Sequence, residues 1–150
     1  RAAEHKGTSF VVIYQNCNVF NDGAFFQFTE KDTRDDTVVF IEHGKPLVFG
    51  KEKDKGIRLN GYSPEVVSLK DGKYSVNDLL VHNEKDTTLS FILADMTYKP
   101  HLPRPIGILL AVDRPVYEAE MERQIAFARE KRGVGDLKKL LNSGETCVVQ

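Results

Sequence analysis

Two cysteines, Cys17 and Cys147, and four histidines, His5, His43, His82 and His101, are the side chains of this 150-residue sequence best suited to hold a metal or act as nucleophiles. Their spacing excludes most of that chemistry. The cysteines lie at opposite ends, there is no CxxC pair, and no two histidines stand in an HxH or HxxxH relation. A disulfide framework or a zinc site made by this chain alone is therefore not written here. The histidines read as surface or turn residues. No Ser/His/Asp arrangement can be argued from spacing. The carboxylates Asp35, Asp36, Glu118, Glu120 and Glu122 read as solvated faces. That leaves Cys17, which follows the apolar run Phe10 to Tyr14 and stands among the amides Gln15, Asn16, Asn18 and Asn21. Two readings are open for it. Free cysteines at strand ends often behave as small buried hydrophobes. Ligands in open α/β sheets, however, gather beyond the carboxyl ends of strands, where Cys17 would lie.

The elements that must position Cys17 are predicted from periodicity and punctuation. Phe10 to Tyr14, with Val11, Val12 and Ile13 β-branched, reads as a strand covered on both faces. Asn16 to about Asp36 reads as a long irregular loop anchored by Phe20, Phe25, Phe26 and Phe28. Val38 to Ile41 and Pro46 to Gly50 flank a glycine-containing turn and predict a hairpin. Further short strands are expected at Ile57 to Leu59 and Glu65 to Leu69. Asp86 is placed to cap a helix whose apolar face is Leu89, Ile92, Leu93 and Met96. Pro100, Pro103 and Pro105 exclude helix before a second apolar strand, Ile106 to Val112. A helix from Pro115 to about Lys131 carries Tyr117, Met121, Ile125 and Ala128 on one stripe, and Gly133 and Gly135 end it. Asp136 caps a last short helix, leaving Cys147 in a tail. The fold class is α/β.

A formal net charge of -1 excludes the broad basic surface that nucleic acid requires. No apolar run approaches the roughly 20 residues needed to cross a bilayer, and the first residues lack the layout of a signal peptide. A cytoplasmic protein with no membrane and no nucleic-acid partner is expected. Arg1 to Lys6 followed by Gly7 reads as the end of a helix, so the chain is expected to be a fragment or one part of a larger fold. A strand as apolar as Phe10 to Tyr14 needs flanking strands, which predicts an oligomer, a partner chain or a rearranged sheet.

Gln15-Asn16-Cys17-Asn18-Val19-Phe20-Asn21 resembles the Gln-Pro-Cys-Pro-x-Phe/Tyr-Asn segment of the beta subunit of 2-oxoacid:ferredoxin oxidoreductases, with asparagines in place of both prolines. It is most similar to the subgroup acting on 2-oxoglutarate. His5 to Val11, Glu42 to Leu47, Pro105 to Ile108, Arg114-Pro115 and Gly135 to Leu137 resemble further family segments in the same order.

The resemblance implies the C-terminal portion of a thiamine-diphosphate-binding fold, with a long loop, a β-hairpin region and C-terminal helices. Residues 1–20 would hold the last core strand and the cluster cysteine, and residues 21–150 the C-terminal region of the subunit. It also implies oxidative decarboxylation of a 2-oxoacid with CoA, using thiamine diphosphate, magnesium and a 4Fe-4S cluster, with electrons passing to ferredoxin and an alpha subunit as partner. Cys17 alone matches a family metal ligand, as one of the four cluster cysteines, with Asn16, Asn18 and Asn21 as donors to its sulfurs. No residue here matches a catalytic position. The sequence has no Gly-Asp-Gly triplet for magnesium and thiamine diphosphate, so this chain alone is expected to be inactive. The alternative is a standalone interaction or structural module derived from this subunit, without catalysis.

Overall fold

The computed structural model describes residues 1–145 and Cys147, and divides into two compact units. The larger comprises Val12–Val112. Its elements are α1 (Phe26–Thr29), α2 (Lys31–Thr37), β1 (Val38–Ile41), β2 (Val48–Phe49), β3 (Lys55–Asn60), β4 (Ser63–Ser68), α3 (Thr87–Asp95) and β5 (Arg104–Gly107). Short 3-10 turns occur at Val76–Asp78 and Met96–Tyr98. The mixture of helices and strands, with one parallel pair, is the α/β class read from the sequence.

β3 and β4 form an antiparallel hairpin closed by Gly61 and Tyr62. Gly61 supplies the positive φ that a tight two-residue connection of this kind uses. Across it, the Arg58 guanidinium meets the Glu65 carboxylate at 2.5 Å, as its directly opposed neighbour. Asp86 caps α3 as expected, its carboxylate accepting the Leu89 N–H at 3.0 Å. Leu89, Leu93 and Met96 then enter a core built with Val39, Ile41, Leu47, Phe49, Ile57 and Leu102.

Several expectations are corrected. Val38–Ile41 and Val48–Phe49 do not form a hairpin: β1 runs parallel to β5, and β2 runs antiparallel to β3. Local turn signals had no means of revealing a partner as distant as Arg104–Gly107. The second apolar strand starts earlier than expected, at Arg104, and ends at Gly107. The stretch from Asn16 to Asp36 is not wholly irregular, because α1 and most of α2 lie within it. Ile13 is 77% exposed, and Phe10 to Tyr14 belongs to no strand. Its composition states a demand for cover, but extended backbone becomes a strand only beside another strand, and none among the described residues pairs with it.

The smaller unit comprises Arg1–Val11 and Asp113–Gln150. Arg1 to His5 make one turn, with the Glu4 and His5 N–H groups donating to Arg1 O, and Gly7 follows at a φ of 112°. α4 (Tyr117–Arg132) starts after Val116 rather than at Pro115, and Gly133 ends it. In α5 (Leu137–Leu141) the Asp136 carboxylate accepts the Lys139 N–H at 3.1 Å. Neither helix has a buried residue, so the stripe of Tyr117, Met121 and Ile125 faces outward.

Candidate functional site

The loop that carries Cys17 is tied by a side chain the sequence reading assigned elsewhere. Nδ2 of Asn16 donates to Oδ1 of Asn18 and to Oδ1 of Asp22, both at 2.8 Å, while its Oδ1 accepts the Gly23 N–H at 2.9 Å. Short polar side chains satisfy turn backbones in this way, which is why Asn and Asp concentrate there. The Asn21 N–H closes the inner turn on Cys17 O at 3.0 Å.

Cys17 itself is exposed and in no disulfide. It is therefore not the small buried hydrophobe of the structural reading. The backbone N–H of Phe20 first, then that of Val19, hold its thiol below the usual value, with desolvation opposing them and the Asn21 N–H contributing least. A thiolate is what a metal or an electrophile requires. These donors come from the main chain. The Asn16 and Asn18 amides, expected to face a cluster, are joined to each other instead.

The loop is anchored by aromatic contacts within the larger unit. Tyr14 stacks on Phe25 with centroids 4.8 Å apart and planes 3° from parallel, and packs at 6.1 Å on Phe28. The Arg104 guanidinium lies 4.0 Å from the Phe28 centroid and 5.5 Å from that of Tyr14, and its Nη2 donates to Thr97 O at 3.0 Å. Sequence reasoning missed Arg104. Its one signal was a cation between two prolines, Pro103 and Pro105.

The remaining candidates do not gather around Cys17. Asp36 pairs with Lys55 at 2.7 Å and Asp35 with Arg34 at 3.3 Å, in keeping with solvated faces. His82 is not a surface residue: it is 1% exposed. Its N–H donates to Lys45 O at 2.9 Å, its carbonyl accepts the Gly44 N–H at 2.8 Å, and its Nε2 lies 2.8 Å from Ile108 O. Because that neighbour is a carbonyl, Nε2 must carry the proton, which leaves Nδ1 as a buried acceptor with no partner. Among the described residues no three His, Cys, Asp or Glu side chains could share a metal ion. Cys147 is exposed. No helix among them is long and apolar enough to cross a membrane.

Over 152 aligned positions the chain is 29% identical to 2-oxoglutarate oxidoreductase subunit KorB of Mycobacterium tuberculosis (strain ATCC 25618 / H37Rv), covering 99% of this chain. That relative is an oxidoreductase subunit. The similarity runs through the whole chain rather than around Cys17 alone, and it bears out the resemblance read from the sequence. The chain spans 40% of the length of KorB. No family model matches the sequence, and no solved structure matches it.

Proposed function

We propose that this chain is part of a subunit of a 2-oxoacid:ferredoxin oxidoreductase of the 2-oxoglutarate type. The observation that carries the reading is the similarity to KorB over 99% of the chain. The assembled enzyme would convert 2-oxoglutarate and CoA to an acyl-CoA and carbon dioxide and deliver electrons to ferredoxin, together with an alpha subunit. A 4Fe-4S cluster supplies one-electron transfer in such chemistry. Cys17 suits one of its four thiolate positions: the sulfur is exposed, and backbone N–H groups, that of Phe20 first, hold its thiol below the usual value. Those N–H groups would also stabilise the negative charge that a thiolate ligand brings. The other three ligands would come from outside this sequence. Thiamine diphosphate and magnesium have no matching residues here, so we assign this chain no step at them.

Reconstitution with iron and sulfide tests the ligand assignment. The chain alone should bind no cluster. Combined with a polypeptide supplying the family's other three cysteines, and with the alpha subunit, it should yield a brown species that is paramagnetic on reduction and lost in Cys17→Ser. The same assembly should reduce ferredoxin with 2-oxoglutarate and CoA. A cluster indifferent to Cys17 would defeat the ligand assignment, and absence of 2-oxoacid-dependent reduction would defeat the wider reading.

A further inference from the structure

Arg104 is half-buried and, among the described residues, makes no ion pair. Of the five N–H donors of its guanidinium, one is given to Thr97 O and a second approaches the Tyr14 hydroxyl at 3.4 Å. Among the described residues the rest have no acceptor. The Phe28 and Tyr14 rings meet part of its charge through its face, which leaves the donors at its edge for an acid or a ligand.

The same guanidinium borders a cleft of about 450 Å³, within the size range of small-molecule sites. Lys55 and Lys99 also line it, and Asp36 is the only carboxylate among its lining residues. Lys55 is balanced by Asp36 at 2.7 Å. Lys99 is paired at 2.6 Å with Asp95, which does not line the cleft. Of the three cations on the wall, Arg104 is therefore the one with no carboxylate partner among the described residues. Phe28 and Phe49 add an apolar surface.

We infer that this cleft binds a small organic oxyanion, a carboxylate or phosphate received in part by the free N–H groups of Arg104, with its carbon body against Phe28 and Phe49. Arg is suited to this role because its planar donors match a carboxylate or phosphate in pairs, whereas Lys presents a point charge. Cys17 is not among the residues that line the cleft, and the inference does not depend on the oxidoreductase reading.

The test titrates the 150-residue chain with succinate and, separately, with inorganic pyrophosphate, following the amide signals of Thr97 to Arg104 by NMR with sodium chloride at matched ionic strength as control. Saturable shifts are expected with at least one probe. Succinate alone would mark a carboxylate site, pyrophosphate alone a phosphate site, and both a site for either oxyanion. Arg104→Gln should weaken binding about tenfold or more, as for loss of a hydrogen bond between charged groups. Because Arg104 also packs on Tyr14 and Phe28, Lys99→Gln provides a second variant. Its known partner is a surface carboxylate, so the fold should survive, and binding should fall severalfold. Lys45→Gln, whose partner Glu42 lies outside the cleft, should bind like the parent. Shifts that sodium chloride reproduces, no saturable shift with either probe, or an affinity that neither substitution moves would overturn the inference.

Discussion

Oδ1 of Asn16 accepts the backbone N–H of Gly23 at 2.9 Å, drawing together the two ends of the loop that presents Cys17. The amide acts as a clasp. The loop around the Cys17 sulfur is thus held by a neighbouring amide whose hydrogen bonds go to other groups.

This gives a prediction for thiol chemistry. In a Cys147→Ser background, alkylation of Cys17 by iodoacetamide should reach half its maximal rate at a lower pH than in the urea-unfolded chain, because the folded loop lowers the thiol value. The sign for stability follows by linkage. The thiolate-favouring loop stabilises the fold above the unfolded thiol value, and that contribution is lost as pH falls through the folded one. Asn16→Ala should move the alkylation midpoint up towards the unfolded chain. An unmoved midpoint would show that the N–H groups of Phe20 and Val19 are held without Asn16.

Gly107 stands at a φ of 145°, and a Cβ there would come within 2.5 Å of Ile41 O. Gly107→Ala should therefore destabilise the larger unit by about 2 kcal/mol or more, the sum of backbone strain and collision with main-chain atoms that cannot rotate away. Urea denaturation followed by far-UV circular dichroism measures it. A loss below about 0.5 kcal/mol, as at an ordinary surface site, would mean that β1 and β5 are not held as closely as described.

For His82 two effects compete. His82→Leu removes the unpartnered Nδ1, which is favourable, but leaves Ile108 O without its donor and alters a tightly filled volume. A buried carbonyl left unpaired costs about 1–3 kcal/mol. The net loss should be about 1–2 kcal/mol in urea denaturation, with the donor outweighing the orphan acceptor. A variant as stable as the parent would show that Nδ1 costs as much as Nε2 contributes.

What was legible in the sequence was local. Asp86 capping α3 and Asp136 capping α5 needed only the next few residues, and both caps are seen. Ile57 to Leu59 and Glu65 to Leu69 were legible as short strands, and they fall in β3 and largely in β4. What failed was non-local. Nothing near Val38 to Ile41 names Arg104–Gly107 as its neighbour, and nothing near Phe10 to Tyr14 shows what should cover it. At the site, Cys17 was legible as a residue type among amides, but the strand expected before it does not form, and its donors were not legible. Backbone N–H groups carry no letter of their own, and the side chains of Asn16 and Asn18, which suggested themselves as donors, are joined to each other. Burial of His82 was hidden for a like reason, since its hydrogen bond reaches across to Ile108.

The closeness of Gly107 to Ile41 also governs which alignment of β1 on β5 is possible. Side chains along a strand alternate between faces, so a slip of one residue would turn Val39 and Ile41 outward and Phe40 into the core. It would also set Ile106 or Ile108 opposite Ile41, where the backbone leaves no room for a Cβ. One missing side chain thus serves as an indexing notch, admitting one of the possible alignments of two apolar strands and rejecting its nearest competitors.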